Sequence, residues 1–372
     1  MPSNKYRFFA YLLFIQVALL CMHWFVYTTL ILLLHIENPV LAAFLKYTLL
    51  FLAISFISAS VLAMRYKNKI VTWFYAVAST WMGFFYFLFI ASFFSWIAFD
   101  FFLRPSDAEI FTGLLLSLAL VVSVRGVIKT RELTVTRISM RLPNLPQSWA
   151  GKTAVFISDI HAGHIYNRKF VNRLVEKING INPDIVLIAG DFYDGLAVDL
   201  TAVTEPLSRL KTKHGVYFVT GNHEQFGNDA PYLNALKKAG VKVLDNEIAD
   251  IDGLQLIGVD HASTEKRKDY EEILGKLGLE AGRPSILLRH VPDHIRLTEK
   301  AGISAQLSGH SHNGQVFPLD LISAAIYRKF HYGPRKYKNL SVYTSSGTST
   351  WGPPLRVGTK SEMVVINFQN RA

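Results

Sequence analysis

Four apolar stretches in the first third of the chain restrict what it can become more than any other feature. Phe, Leu, Ile, Val, Ala and Trp dominate from Tyr6 to about Val124. A bilayer core about 30 Å thick is crossed by a helix of roughly 20 apolar residues. Candidates of that kind run over Phe8–Leu34, Leu41–Met64, Ile70–Phe99 and Ile110–Val124, the last reaching toward Ile128 past Arg125. The fourth is the shortest, and the charges between the stretches support counting it. Lys5 and Arg7 precede the first, while HIENP between the first two has no Lys or Arg. Arg65, Lys67 and Lys69 separate the second and third; only Arg104, offset by Asp107 and Glu109, lies between the third and fourth. Arg125, Lys129, Arg131, Arg137 and Arg141 follow. Basic loops are retained on the cytoplasmic side, so four crossings with both termini in the cytoplasm are expected. Three crossings would turn the last basic stretch outward. The expected location is the cell (inner) membrane, multi-pass, with the soluble part facing the cytoplasm.

The N-terminus does not read as a cleaved signal peptide, because its apolar run is too long and no small-residue cleavage pattern follows. Cys21, the single cysteine, lies in the first stretch, so the soluble part has neither disulfides nor thiolate ligands. The formal charge of +11 fits anionic lipid headgroups beside membrane helices; no nucleic acid is expected. Apart from Lys46 the stretches hold almost no charge, which argues against a transport pathway. Their Trp and Tyr residues read as interface anchors and packing.

The chain divides into a transmembrane domain of about four helices at 1–128, a basic juxtamembrane linker at 129–152 with Pro143, Pro146 and Gly151 as breakers, and a soluble domain at 153–372. In the last of these, apolar runs alternate with amphipathic stretches. The runs are TAVFIS (153–158), DIVLIA (184–189), GVYFVT (215–220), LQLIGV (254–259), SILLR (285–289), AQLS (305–308), SVYTSS (341–346) and MVVINF (363–368). Helical spacing is found in Arg168–Ile178, Leu200–Leu210, Asp229–Ala239, Asp269–Leu277 and His294–Ala301. Strands alternating with helices predict an α/β domain.

Polar residues collect where the runs end. TAVFIS is followed by Asp159 and His161, DIVLIA by Asp191 and Asp194, and GVYFVT by Asn222, His223 and Glu224. SILLR is followed by His290, and AQLS by His310 and His312 in "GHSHNGQVFPLD" (309–320). Singly, each has an ordinary reading: GD and GN are common turns, and a lone histidine is often buried and satisfied. Jointly they point to one place, because ligands of open α/β sheets bind at the carboxyl ends of strands. Oxygen and imidazole donors without thiolates suit Mn, Fe or Zn. About seven donors exceed what one ion needs, so two ions sharing a carboxylate are expected, able to clamp a phosphate and activate the attacking oxygen.

These blocks, in order DxH, GDxxD, GNHE, H and GHxH, resemble those of the calcineurin-like metallophosphoesterase superfamily over about residues 153–368. The resemblance implies two packed β-sheets with helices outside, an α-β-β-α sandwich. It implies that Asp159, His161 and His312 hold one of two divalent ions, Mn favoured, and that Asn222, His290 and His310 hold the other. Asp191 would bridge both. His223 would meet the phosphate without ligating and help protonate the leaving oxygen, with Asp194 orienting it or serving as an ordinary loop carboxylate. Glu224 stands where an aspartate is common and is expected to act behind the ligands at most. "GHSHNGQVFPLD" and "SSGTSTWGPPLRVG" (345–358) look like the membrane-associated branch, transmembrane proteins with a metallophosphoesterase domain. Here Asn313 replaces the common second glycine. Some relatives hydrolyse the pyrophosphate of UDP-2,3-diacylglucosamine in lipid A synthesis.

The expected function is therefore that of a membrane-anchored phosphoesterase cleaving a phosphodiester or pyrophosphate in a phosphorylated, lipid-linked substrate. Its expected partners are that substrate and the membrane, with no protein partner. The segment 316–338, apolar but carrying Tyr327, Arg328, Lys329, His331, Arg335, Lys336 and Lys338, either rests at the membrane interface or is a solvated basic loop. Lys266–Lys268 read as plain surface, and His164, His261 and His294 are not expected as ligands, although His261 could approach the substrate. Competing readings are hydrolysis of a soluble nucleotide or phosphoprotein, a non-catalytic metal scaffold, which would have no need of His223, and a transporter or sensor regulated by the soluble domain.

Overall fold

The computed structural model describes residues 4–225 and 228–370, and of residues 4, 5 and 7–9 only the backbone. The side chains of Lys5 and Arg7, counted above as charges ahead of the first span, lie outside the described residues. Four helices come first: α1 (Asn4–Leu33), α2 (Pro39–Ala63), α3 (Lys69–Phe101) and α4 (Pro105–Lys129). All four are long and apolar enough to cross a membrane, the fourth at 25 residues included. Asn38 and Asn68 start α2 and α3 by accepting from backbone N–H groups one or more residues into the helix, the ordinary role of an N-cap side chain. Two indoles inside the bundle find partners: Trp81 Nε1 donates to His23 Nε2 at 3.1 Å, and Trp96 Nε1 to Thr29 Oγ1 at 3.0 Å. Such pairing is needed where no water competes.

The soluble part is built on two six-stranded sheets. Its strands are β1 (Leu133–Leu142), β2 (Thr153–Ile157), β3 (Ile185–Ala189), β4 (Val216–Val219), β5 (Val241–Val243) and β6 (Glu247–Ile251), then β7 (Leu254–Gly258), β8 (Ser285–Leu288), β9 (Ala305–Ser308), β10 (Gly333–Tyr337), β11 (Leu340–Thr344) and β12 (Ser361–Asn370). The helices are α5 (Arg168–Asn179), α6 (Leu200–Thr204), α7 (Ala230–Lys238), α8 (Arg267–Lys276), α9 (Ile295–Lys300) and α10 (Leu319–Tyr327). One sheet runs β1-β12-β2-β3-β4-β5 and the other β10-β11-β9-β8-β7-β6. β2 to β5 are mutually parallel, as are β7, β8, β9 and β11.

Alternation along the strands sorts side chains into layers. Phe156, Leu187, Tyr217, Leu256, Leu288, Leu307 and Ile366 form one core shared by the inner faces of both sheets. Val155, Ile157, Val186 and Phe218 face outward to Val171, Leu174 and Leu236 of α5 and α7. Ile257, Leu287 and Val342 face Tyr270, Ile295 and Leu297 of α8 and α9. Helix, sheet, sheet, helix is the α-β-β-α sandwich expected. Because β2, β3 and β4 are buried on both faces, they read as nearly unbroken apolar runs, as parallel strands do; β8 and β9 are equally buried but admit Ser285, Gln306 and Ser308.

The linker expectation for 129–152 is corrected by β1. Leu133–Leu142 pairs over ten residues, parallel to β12, at the edge of the first sheet. Its outer positions, Arg137, Ser139 and Arg141, are exposed while Met140 and Leu142 are buried; basic residues on an edge strand hide its period-2 pattern and blunt the open edge. Trp149, just beyond it, is fully buried, its Nε1 donating to the Ile251 carbonyl at 2.8 Å. Also unforeseen are the short β5, β6 and β10 and the helix α10 within 316–338.

Candidate metal centre

Every donor singled out in the sequence sits on the turn that leaves a buried parallel strand. Asp159 and His161 follow β2, Asp191 follows β3, Asn222 and His223 follow β4, His290 follows β8, and His310 and His312 follow β9. These turns are tight. Asp159, His161, Asp191, His310 and His312 all have φ between 46° and 64°, a left-handed conformation uncommon for residues with a Cβ and concentrated at functional sites. Two glycines permit the close approach. A Cβ at Gly221 would fall on the Asp191 carboxylate, and one at Gly309 on the Asp159 carboxylate and Ser158.

The side chains form two groups joined by one carboxylate. In the first, His161 Nε2 and His312 Nε2 are 3.1 Å apart and His312 Nε2 is 3.4 Å from Asp159 Oδ1. In the second, His310 Nδ1 lies 2.9 Å from Asn222 Oδ1 and 3.2 Å from His290 Nε2. Asp191 Oδ2 stands between them, 3.2 Å from His290 Nε2 and 3.9 Å from His161 Nε2. His290 is fixed from behind, since its Nδ1 donates to the Ala189 carbonyl at 2.8 Å and so turns Nε2 inward. Asp159 accepts from the His310 N–H at 3.0 Å, tying the two groups together.

Burial sets the charge states. It drives His161 and His310 down to about 3 and His312 well below its ordinary value, which leaves them as neutral imidazoles. It also pushes Asp159 up to about 6. Burial pushes Asp191 upward too, but His290, His161 and His223 outweigh it and hold the carboxyl well below its usual range. His290 differs: against its burial, Asp191 and Asp159 hold it up at about 10, so that it stands as a cation on Asp191. Neutral imidazole nitrogens of His161, His310 and His312 converge with a carboxylate and an amide oxygen, and His161 Nδ1 is buried without a hydrogen-bond partner. Cations resolve such a convergence, and neutral imidazole is the ligating form. The donor set fits divalent metal.

His223 adjoins the first group, its ring edge-on to His161 with centroids 4.6 Å apart, and with His161 and Asp194 it makes a further cluster of possible ligands. Its N–H donates to Asp191 Oδ1 at 2.9 Å and its Nδ1 to the main-chain carbonyl of Asp194 at 3.0 Å, so that Nε2 faces the site 4.0 Å from Asp191 Oδ2. The Asp194 carboxylate points elsewhere, lying 3.8 Å from His161 Nδ1. Asp194 therefore contacts His223 through its backbone rather than its side chain. Among the remaining histidines, His261 packs edge-on to His290 with ring centroids 6.0 Å apart. His294 stacks on Tyr270, away from the centre, and His164 belongs to none of the ligand groups found among the described residues.

Residues 152–314 match the family described as calcineurin-like phosphoesterase. Those residues belong to that family. An uncharacterized metallophosphoesterase of Helicobacter pylori strain J99 is 35% identical over 218 residues, 58% of this chain and 59% of its own length. Proteins named transmembrane protein with metallophosphoesterase domain match from two vertebrates. The Danio rerio protein is 32% identical over 272 residues, 68% of this chain and 62% of its own. The Bos taurus protein is 32% identical over 288 residues, 72% and 63%. The chain thus spans between 59% and 63% of the length of these relatives.

Glu224 acts behind the ligands, as expected. The Glu224 carboxylate, fully buried, accepts from the backbone N–H groups of Asp191 at 3.0 Å, Tyr193 at 3.1 Å and Gly221 at 2.7 Å. It pins the GDxxD turn to the GNHE turn. Burial and the nearby Asp191 push it up to about 7, against the pull of those N–H donors. Glu224→Ala leaves three buried donors unsatisfied, at roughly 1–3 kcal/mol each. A loss of about 3 kcal/mol lowers the melting temperature by roughly 6–12 °C for a domain of this size. Scanning calorimetry checks it; an unshifted transition means the two turns hold themselves, and Glu224→Gln should recover part of the loss.

Ser349 and Arg356 strap the tail over the turns that carry the candidate ligands. Ser349 Oγ donates to the Ile160 carbonyl at 2.7 Å. The buried Arg356 guanidinium donates to the carbonyls of Ser346 and Ser349 at 2.6 and 2.5 Å and of His312 at 3.2 Å. A lone arginine after WGPPL carries no local signal of this. Asn313 has φ 52°, a conformation asparagine tolerates. Trp351, 57% exposed, brings its ring within 6.1 Å of the His223 ring. Its backbone is held on both sides by Gln315, whose Oε1 accepts at 2.9 Å and whose Nε2 donates at 3.0 Å.

Proposed function

We propose that this chain is a membrane-anchored, dinuclear metal-dependent hydrolase of a phosphodiester or pyrophosphate bond in a lipid-linked substrate of the UDP-2,3-diacylglucosamine type. The observation that carries the reading is the Asp191 carboxylate between two groups of imidazole and oxygen side chains, with His223 directed at the same space. In this reading Asp159, His161 and His312 hold one ion, Asn222, His290 and His310 the other, and Asp191 both. Two divalent ions, Mn favoured over Fe or Zn, would neutralise the phosphoryl oxygens and lower the pKa of the attacking water. His223 does the proton work. Its Nδ1–H stays on the Asp194 carbonyl, and its cationic form delivers a proton from Nε2 to the departing oxygen. Burial lowers the affinity of His223 for that proton while Asp191 and the Asp194 carbonyl raise it, which favours release as leaving-group charge develops. Trp351 offers an aromatic face at the rim beside it.

The membrane part of the proposal is residues 1–128 as a four-span anchor in the inner membrane, with the phosphoesterase unit beginning at β1 and facing the cytoplasm. Basic residues Arg65, Lys67, Lys69, Arg125, Lys129 and Arg131 fall on one side under four crossings, which supports that orientation. A tether favours a substrate held in the same membrane. The test is turnover of UDP-2,3-diacylglucosamine and of an aryl phosphodiester by detergent-purified full-length protein with Mn²⁺, against Asp191→Ala. The expected result is cleavage at the pyrophosphate, absent in the variant. Hydrolysis of the aryl diester alone would discard the lipid-linked substrate and leave a soluble nucleotide or phosphoprotein in its place.

A further inference from the structure

The helix α10 lies beside the candidate centre with an apolar face that none of the described residues covers. Leu321 is 61% exposed, Ile322 57% and Ile326 64%, with Phe317 and Leu319 continuing the patch. Five large apolar side chains on and just before one nine-residue helix are not what solvated surface holds; contiguous patches of this kind mark interaction sites. A basic cluster adjoins them. Arg328, Lys329, Arg335 and Lys336 are exposed, and among the described residues none of the four lies in an ion pair with a carboxylate, whereas Lys338 pairs with Glu299 at 3.3 Å. Instead they brace one another's backbone: Arg335 Nε donates to the Lys329 carbonyl at 2.7 Å and Lys329 Nζ to the Lys336 carbonyl at 3.3 Å. Apolar residues flanked by unpaired cations match an anionic lipid surface, acyl chains against the first and phosphates against the second.

The same helix reaches the metal-binding loops. Tyr327, its last residue, sets its ring edge-on to His310 with centroids 6.0 Å apart. A nine-residue helix is roughly 13 Å long, so the exposed apolar face and the candidate ligands lie within one headgroup's reach.

We infer that α10 and the following basic hairpin seat the phosphoesterase unit on an anionic bilayer surface, Leu321, Ile322 and Ile326 entering the acyl boundary, so that the metal-binding loops stand at headgroup depth. This rests on the membrane reading of α1–α4 and goes beyond it, since four spans alone would leave the unit free to tumble in water. It is independent of which phosphoester is cleaved.

The test reads immersion rather than hydrolysis. A nitroxide is placed on the native Cys21 of the full chain, or, in a Cys21→Ala background, at Ile322→Cys or at Arg173→Cys on the exposed side of α5. Accessibility to oxygen and to a water-soluble nickel chelate is measured in nanodiscs of phosphatidylcholine, alone or mixed equally with phosphatidylglycerol. In the mixed discs the Ile322 label should favour oxygen severalfold over the Arg173 label, approaching the Cys21 label. Reversing Arg328, Lys329, Arg335 and Lys336 together to Glu should remove that preference. An Ile322 label as wet as the Arg173 label overturns the proposal. So does immersion that needs two copies in one disc, which would assign the face to a second chain. A water-exposed Cys21 label overturns the tether beneath it, whatever the enzyme hydrolyses.

Discussion

Asp191→Ala should abolish phosphoester hydrolysis, by at least about 10³-fold in kcat/KM, and should lower bound metal together with it. The expectation follows from position. Asp191 Oδ2 is the one side-chain oxygen shared between the two groups, 3.2 Å from His290 Nε2 and 3.9 Å from His161 Nε2. Removing it takes away the negative charge that both groups need, and several kcal/mol of transition-state stabilisation by paired ions corresponds to about 10³-fold in rate. The backbone is affected less. The Asp191 N–H still bonds Glu224, and only the His223 N–H loses its acceptor. The fold should therefore survive, so that steady-state kinetics and metal content can be read on folded protein. Full activity in this variant would mean that the two groups do not act as one centre.

His223→Ala should behave differently, losing about 10²–10⁴-fold in turnover with metal content unchanged. His223 belongs to neither donor group in the proposed assignment; its Nδ1 is committed to the Asp194 carbonyl and its Nε2 faces the site. The loss should shrink for substrates with good leaving groups, because an aryl oxide departs without a proton. A uniform loss across leaving groups, or a loss of metal, would make His223 a ligand or a structural residue instead of the acid. Because Asp194 acts on His223 through its carbonyl, Asp194→Asn should slow the reaction far less than His223→Ala does.

What the sequence made legible was what strands and turns impose locally. Asp159, Asp191, Asn222 and His290 could be found because each follows a strand buried on both faces, whose apolar run marks where it ends, and His310 because it stands in the GHSH block after AQLS. The shared location followed from parallel strands presenting their carboxyl ends together. Glu224 could be placed behind the ligands, but its bonds to Asp191 and Tyr193 and the work of Ser349 and Arg356 were not legible, because these contacts join segments that the fold brings near: Ser349 reaches Ile160 across 189 positions. β1 escaped for another reason. Its arginines lie on the solvent face of an edge strand, and basic composition beside a membrane helix resembles a linker until pairing with β12 reveals the alternation. With Asp194 the residue was visible and its means of contact was not, since no sequence pattern distinguishes a carbonyl from a carboxylate as the acceptor of an imidazole.

We propose that the seven donors at five strand ends form one two-ion centre. Its most direct test is a titration of metal-stripped, full-length protein with Mn²⁺, following bound metal and aryl phosphodiester turnover in the same samples. Two ions per chain, with turnover rising only as the second site fills, is the predicted result. Saturation at a single ion with full turnover, or two ions bound by Asp191→Ala as tightly as by the native chain, would contradict it.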